Sequence, residues 1–316
     1  MQRNALAGIF VEADDPKFLE REVEPAREVL DLAKLDVASL LAEYRARQKN
    51  YDTAPFDPEG QQIRFFPAGF SIWSGFPGAG KTTLLRQFAC HLMHRGRAVF
   101  IASLEEDPLD VFYRLACVAL GTPEPTEDGL QWCVDAWADT LRLWSYRRGI
   151  ADHARMLAVI RVLARQGVRH AFIDSLARLD VHSGDWEAQR LFGNALEATA
   201  ANAGIHIHLV AHPRKLVSAN QEPDINDVAG SADIGRLADN VLFVRRYDAD
   251  TFTGGTLTGM EIMVRKQRYF EGGCPTIRGF FNRATKQFNQ TDAELGVIEY
   301  LPPGAYGKPM YPGARA

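Results

Sequence analysis

Cysteine is scarce and scattered. The four thiols, Cys90, Cys117, Cys133 and Cys274, fall without C-x-x-C spacing. That excludes a zinc ribbon and points to reduced thiols in a cytosol-like compartment. No apolar run reaches the length of a membrane span, and the N-terminus lacks signal-peptide order, so no membrane partner is expected. An excess of one charge is missing too: 36 Lys and Arg face 40 Asp and Glu, a formal net charge of −4. Nucleic-acid binding, if any, has to come from local loops or a pore lining. Internal repeats and low-complexity blocks are also lacking. What is present, 46% hydrophobic and 24% charged residues in a chain of 316, suffices to bury a full α/β core.

One stretch organises the rest. Gly75-Phe76-Pro77-Gly78-Ala79-Gly80-Lys81-Thr82 reads G-x-x-x-x-G-K-T, and Thr83 follows it. Residues 70–74 alternate apolar and polar side chains as a strand does; residues 83–90 space apolar side chains as a helix does. Strand, glycine-rich loop and helix together wrap a phosphate chain, because backbone N–H groups turn inward at a helix N-terminus. Lys81 then reaches the β- and γ-phosphates, and the Thr82 hydroxyl ligates Mg²⁺. The pattern implies a nucleoside triphosphate.

The chain before this loop divides at turn-rich residues 50–62, read as a linker, so residues 1–60 form an N-terminal segment. Within it a helix is expected over about 25–47, with Val29, Leu30, Ala33, Val37, Leu40, Leu41 and Tyr44 along one face. That face suits either the helix's own domain or a neighbouring subunit. From 61 to 288 strands and helices alternate. Strands are expected at 70–74, 98–102, 141–145, 170–173, 205–211, 240–244 and 261–265, and helices at 81–94, 108–120, 152–166 and 186–203. Such alternation implies a mostly parallel sheet covered on both faces, with the last two strands a hairpin around Gly254-Gly255. Residues 289–316, rich in Pro, Gly and Ala, read as a flexible tail.

Candidate chemistry gathers at strand ends, where parallel sheets place their ligands. The strand at 98–102 runs into Glu105-Glu106-Asp107; Glu105 is the choice for orienting the attacking water. The apolar strand ending in Asp174 offers a carboxylate to hold Mg²⁺ beside Thr82. His206 and His208 read as structural, whereas His212, at its strand end, can contact the γ-phosphate. Arg214 and Lys215 open a polar loop suited to a phosphate backbone, and Gly230 and Ser231 can present bare N–H groups to an anion. Lys266 and Arg268 share a strand face, since strand side chains repeat every two residues. Two cations together call for an anion opposite; a neighbour's γ-phosphate or plain solvation both answer.

Taken in order, GFPGAGKTT, ASLEE, AFIDSLARL, HLVAHPRK, GSADIGRLADNVLFVRR and VRKQRYFEG resemble the RecA-like motor domain of DnaB-type replicative helicases. The likeness covers roughly residues 62–288 and is nearest the branch holding mitochondrial Twinkle and the phage primase-helicases. It implies a RecA-like P-loop ATPase core using ATP and Mg²⁺, working as a ring of six subunits around single-stranded DNA. It also implies roles: Glu105 as catalytic acid, Asp174 as Walker B aspartate, His212 as γ-phosphate sensor. Lys266 and Arg268 become the pair that reaches into the next subunit's site, Arg268 as arginine finger. Arg246 and Phe281 fall where the base is sandwiched. Loops around Arg178 to Asp185 and from His212 to Arg236 would face the pore and grip phosphates. By the same analogy the helix at 25–47 is the linker helix that helps hold the ring together.

The departures are informative. Residues 1–60 are too few for a primase domain, and the cysteines cannot form its zinc site, so a primase-free motor from a bacterial cytoplasm or a phage-infected host is expected. Residues 289–316 are not acidic, so polymerase docking through an acidic tail finds no support, although other replication proteins are possible partners. Two other functions share the blocks: a RecA-like recombination or repair ATPase that binds DNA without unwinding it, and a nucleotide-gated protein-assembly ATPase.

Overall fold

A computed structural model of the chain describes residues 36–144, 151–181, 184–213, 222–228, 232–250, 256–290 and 297–301. The chain divides into two compact units, residues 1–51 and 52–316. In the first, α1 (Val37–Lys49) starts where the Asp36 carboxylate accepts the Ser39 N–H at 2.9 Å. The helix expected from residue 25 is therefore interrupted: Asp36 is extended and caps a new start, and 25–35 lie outside the described residues.

The second unit begins earlier than the turn-rich composition of 50–62 suggests. Asp52 pairs with Phe65 as an antiparallel bridge, and Ala54 and Phe56 are fully buried. The Asp57 carboxylate gathers the N–H groups of Gln61, Gln62 and Ile63, which turns the supposed linker into a folded loop.

From there β1 (Phe70–Ser74), α2 (Lys81–His94), β2 (Ala98–Ser103), α3 (Pro108–Leu120), α4 (Glu127–Trp137), β3 (Leu141–Leu143), α5 (His153–Arg165), β4 (Val168–Asp174), α6 (Trp186–Ala203) and β5 (His206–Val210) alternate. Then come α7 (Ala232–Leu237) and the strands β6 (Asn240–Asp250), β7 (Thr256–Gln267), β8 (Thr276–Asn282) and β9 (Gln287–Asn289). They form one sheet in the order β3-β2-β4-β5-β1-β6-β7-β8-β9. Pairs from β3 to β6 are parallel; β6–β7, β7–β8 and β8–β9 are antiparallel.

Helices cover both faces of the parallel part, which is why β1 and β5 are buried at every position. Leu84 and Phe88 of α2, Leu115 of α3 and Trp137 of α4 pack on one face with Trp73. Met156 and Ile160 of α5, Phe192 and Leu196 of α6 and Ile234 of α7 pack on the other with Ile72. Each such side chain stabilises the fold by about 1.5–3 kcal/mol relative to exposure. Residues 297–301, read from composition as tail, reach this core: Tyr300 and Leu301 are buried, and the Gln87 amide donates to the Tyr300 hydroxyl at 3.0 Å.

A polar chain runs through the α2 face. Trp73 Nε1–H can only donate, so His208 Nδ1 accepts it at 3.2 Å. His208 then donates from Nε2 to His170 Nδ1 at 3.0 Å, and His170 Nε2 donates to Asp52 at 3.1 Å. His206 bridges the Ser71 hydroxyl and the Phe66 carbonyl. Burial holds His206 neutral, its pKa pushed down to about 3, and that of His208 well below the usual range. Both histidines are buried structural groups.

Candidate nucleotide site

The parallel strands deliver their carboxyl ends to one edge of the sheet, and the glycine-rich loop leaves β1 there. Its first glycine is required by contact as well as conformation. Gly75 has φ +141, and a Cβ on it would stand 2.2 Å from the Val244 carbonyl oxygen of β6. Gly80, at φ +93, precedes α2 without a side-chain cap, and a Cβ there would meet Met260 Cε at 2.7 Å. The first N–H groups of α2 thus stay available to an anion. Pro77, Gly78 and Ala79 form the loop's crown, and nothing lies within 4 Å of where a Gly78 Cβ would sit.

Lys81 folds back over this loop, its ammonium donating to the Gly75 carbonyl at 2.6 Å and the Phe76 carbonyl at 3.0 Å. Burial pulls its pKa down, while Asp174 and Glu105 pull it up. The Thr82 hydroxyl donates to Asp174 Oδ2 at 2.7 Å; Thr83 follows on the first turn of α2. Burial pushes the Asp174 carboxyl up, against the Thr82 hydrogen bond, and the nearby Glu105 charge adds to the rise. A hydroxyl and a buried carboxylate meeting beside a buried lysine, under a cradle with no room for a side chain, fit a nucleotide phosphate and a divalent cation. Thr82 and Asp174 would hold Mg²⁺, which neutralises phosphate charge when bound.

Three acids follow β2, and their partners separate them. Glu106 is clamped by the Arg86 guanidinium of α2 and faces Arg114 of α3 at 3.5 Å. Asp107 caps α3 by accepting the Leu109 N–H at 2.9 Å. Glu105 instead accepts the Ser175 hydroxyl at 3.2 Å, directly after Asp174, and faces Arg178 at 3.7 Å. The structure thus brings Lys81, Thr82, Asp174 and Glu105 together. Ser175 and Arg86 were missed as parts of the site. Ser175 had a signal, its place next to the strand-end aspartate, whereas Arg86 is one more charge on a helix until its fold partner is known.

Strand β5 lies between β1 and β4, and its register, Trp73 against Val210, sets the half-buried His212 beside the start of the loop. Arg246 of β6 and Phe281 of β8 stand together, guanidinium carbon 5.7 Å from the ring centroid. A Cβ on Gly80 would lie 3.3 Å from Arg246 Nη2, so this pair flanks the loop.

Lys266 and Arg268 are elsewhere. β7 runs antiparallel to β6, so Met260 touches the loop while Lys266 lies six residues on, about 20 Å away at the opposite edge of the sheet. There Lys266 donates to the Arg236 carbonyl at the end of α7, and Arg268 pairs with Asp239 at 3.1 Å and faces Glu197 at 3.7 Å. A helix C-terminus and two carboxylates are the local answer to these cations. Arg236 itself is exposed on α7, and Arg178 is exposed beside Glu105. Arg214, Lys215, Gly230 and Ser231 lie outside the described residues.

Comparison with known proteins agrees with this construction. Residues 58–217 match the AAA domain family. A solved structure of a separate ATPase domain aligns with a TM-score of 0.65 at 18% identity, covering 80% of this chain and 96% of that one. A DnaB-like replicative helicase, described with its interactions with primase, aligns with a TM-score of 0.67 at 16% identity, covering 81% of this chain and 67% of that one. No curated protein matches the sequence. The chain belongs to the AAA domain family, a P-loop ATPase with the mostly parallel sheet and flanking helices of DnaB-type helicase motor domains.

Proposed function

We propose that the protein is an ATP- and Mg²⁺-dependent motor that assembles as a ring, moves along single-stranded DNA and separates duplex ahead of it. The observation behind this reading is the distance along β7. Lys266 and Arg268 stand about 20 Å from their own phosphate loop, too far for either side chain to reach it. If they act on a phosphate, a second copy of the chain supplies it. Sites shared between subunits require an oligomer, and six copies close the ring in this proposal.

Within one subunit Lys81 counters phosphate charge, Glu105 orients and deprotonates the attacking water, and His212 reports the γ-phosphate. Arg246 and Phe281 hold the base. The neighbour's Arg268, with Lys266, stabilises charge that develops on transfer. Arg178 and Arg236, with Arg214, Lys215, Gly230 and Ser231, contact the DNA backbone, so binding is sequence-tolerant and weakens with salt. The setting is cytoplasmic, and other replication proteins are candidate partners.

The test is ATP hydrolysis with and without single-stranded DNA, for wild type and Arg268→Ala. The expected result is DNA stimulation in wild type and a rate lower by about 10³-fold or more in the variant. Hydrolysis indifferent to DNA would favour a protein-assembly ATPase, and DNA-coated filaments in electron micrographs a recombination ATPase.

A further inference from the structure

The acid proposed to activate water is held by the turn that follows the metal-binding strand. Glu105 Oε1 accepts the hydroxyl of Ser175, which is 1% exposed, and the same oxygen faces Arg178 Nε at 3.7 Å. Arg178 closes the single 3₁₀ turn Leu176–Arg178, whose backbone is fixed at both ends: Arg178 N–H donates to the Ser175 carbonyl, and its own carbonyl accepts the Ala151 N–H. The backbone is anchored, but the guanidinium is not buried: its side chain is 57% exposed and that of Glu105 46%. An exposed pair of this kind contributes only about 0.2–1 kcal/mol, so a phosphodiester oxygen can compete for the guanidinium on nearly equal terms.

From this geometry we infer that Arg178 is a positioning residue that keeps Glu105 engaged until a polynucleotide phosphate takes the guanidinium away. While Arg178 and Ser175 both address Oε1, that oxygen's lone pairs are turned toward them and away from a water proton. When a phosphate draws Arg178 outward, Glu105 keeps the Ser175 hydroxyl, which holds the carboxylate at the site, and regains an accepting oxygen. Nucleic acid then speeds hydrolysis by freeing an acid already in place, without rebuilding the site. The inference rests on the proposal that the protein binds single-stranded DNA. Glu106 cannot stand in for Glu105 here, since Arg86 and Arg114 already face it.

The experiment compares wild type, Arg178→Ala and Arg178→Lys in steady-state ATP hydrolysis, without DNA and with saturating oligothymidine, alongside oligothymidine binding by anisotropy. Arg178→Ala should raise kcat without DNA by about 2- to 5-fold, the range an exposed pair can supply, and leave KM for ATP unchanged. Its stimulation at saturating DNA should fall to near one, while Arg178→Lys should restore part of it. An unchanged or lower basal kcat, with the stimulation ratio intact, would overturn the inference and leave Arg178 a simple phosphate contact. Should wild type bind oligothymidine without being stimulated, the handover is overturned. Should it not bind at all, the DNA reading itself fails, and a raised basal kcat in Arg178→Ala would still report the pairing with Glu105.

Discussion

Glu105, Glu106 and Asp107 are neighbours in sequence and perform three different tasks. Asp107 satisfies a helix N-terminus, Glu106 satisfies Arg86 and Arg114, and Glu105 faces the metal-binding strand through Ser175. Glu105→Gln should therefore keep nucleotide binding and lower kcat by about 10²-fold or more, the usual weight of a general base. Glu106→Gln should act on stability. It leaves the largely buried Arg86 short of its charged partner, at a cost of about 1–3 kcal/mol, with kcat nearly unchanged. Melting curves and turnover on both variants decide; a Glu106→Gln protein that melts normally but has lost turnover reverses the assignment. The run of acids marked the place in the sequence but did not separate its members. Their partners come from α2, α3 and the end of β4, which meet only when the sheet forms.

Elements defined by local patterns were readable, and those defined by long-range pairing were not. α2, α3 and α6 have the expected bounds because apolar periodicity and caps agree, as with Asp107 before Pro108. α4 went unread although Thr126 caps it and Glu127 and Asp128 fill its first turn, because it buries only Gly129, Cys133 and Trp137. β8 and β9 are edge additions to an antiparallel extension, and their sequence alternates little. The helix α1 is of another kind. It buries none of its residues, yet Val37, Leu40, Leu41 and Tyr44 recur at i, i+3, i+4 and i+7. If a second copy covers that stripe, Leu40→Glu combined with Leu41→Glu should raise the concentration needed for assembly more than about tenfold. Light scattering across a dilution series measures it, and an unshifted assembly would assign the stripe no role between subunits.

At the scale of the whole molecule, the sheet's α2 face is built on neutral histidines, and this fixes how stability responds to acid. Burial pushes His206 down to about 3 and His91 to about 4, with Arg95 and His94 adding to the fall at His91. His208 lies well below the usual range for the same reason, aided by His206 and His170. An unfolded histidine titrates near about pH 6.5, so below that pH the unfolded chain binds protons that the folded chain refuses. Stability is complete above about pH 6.5 and falls as pH drops toward the folded values, at up to about 1.4 kcal/mol per pH unit for each histidine. Asp52 belongs to a lower window. Against its burial, His170 and Arg97 hold it at about 2, so its contribution is lost only below the ordinary carboxylate range. Asp174 and Asp239, raised by burial, have the opposite sign and begin to offset the loss as they protonate. Urea unfolding at pH 7, 6 and 5 should thus show stability declining with the steepest step between the last two. His208→Gln keeps one acceptor and one donor for Trp73 and His170 but removes the titration. It should be less stable at pH 7 and lose less on acidification, with a slope shallower by about one proton. A wild-type stability flat from pH 7 to 5 would mean that these rings accept protons in the folded state, which the donor-only Trp73 indole against His208 Nδ1 forbids.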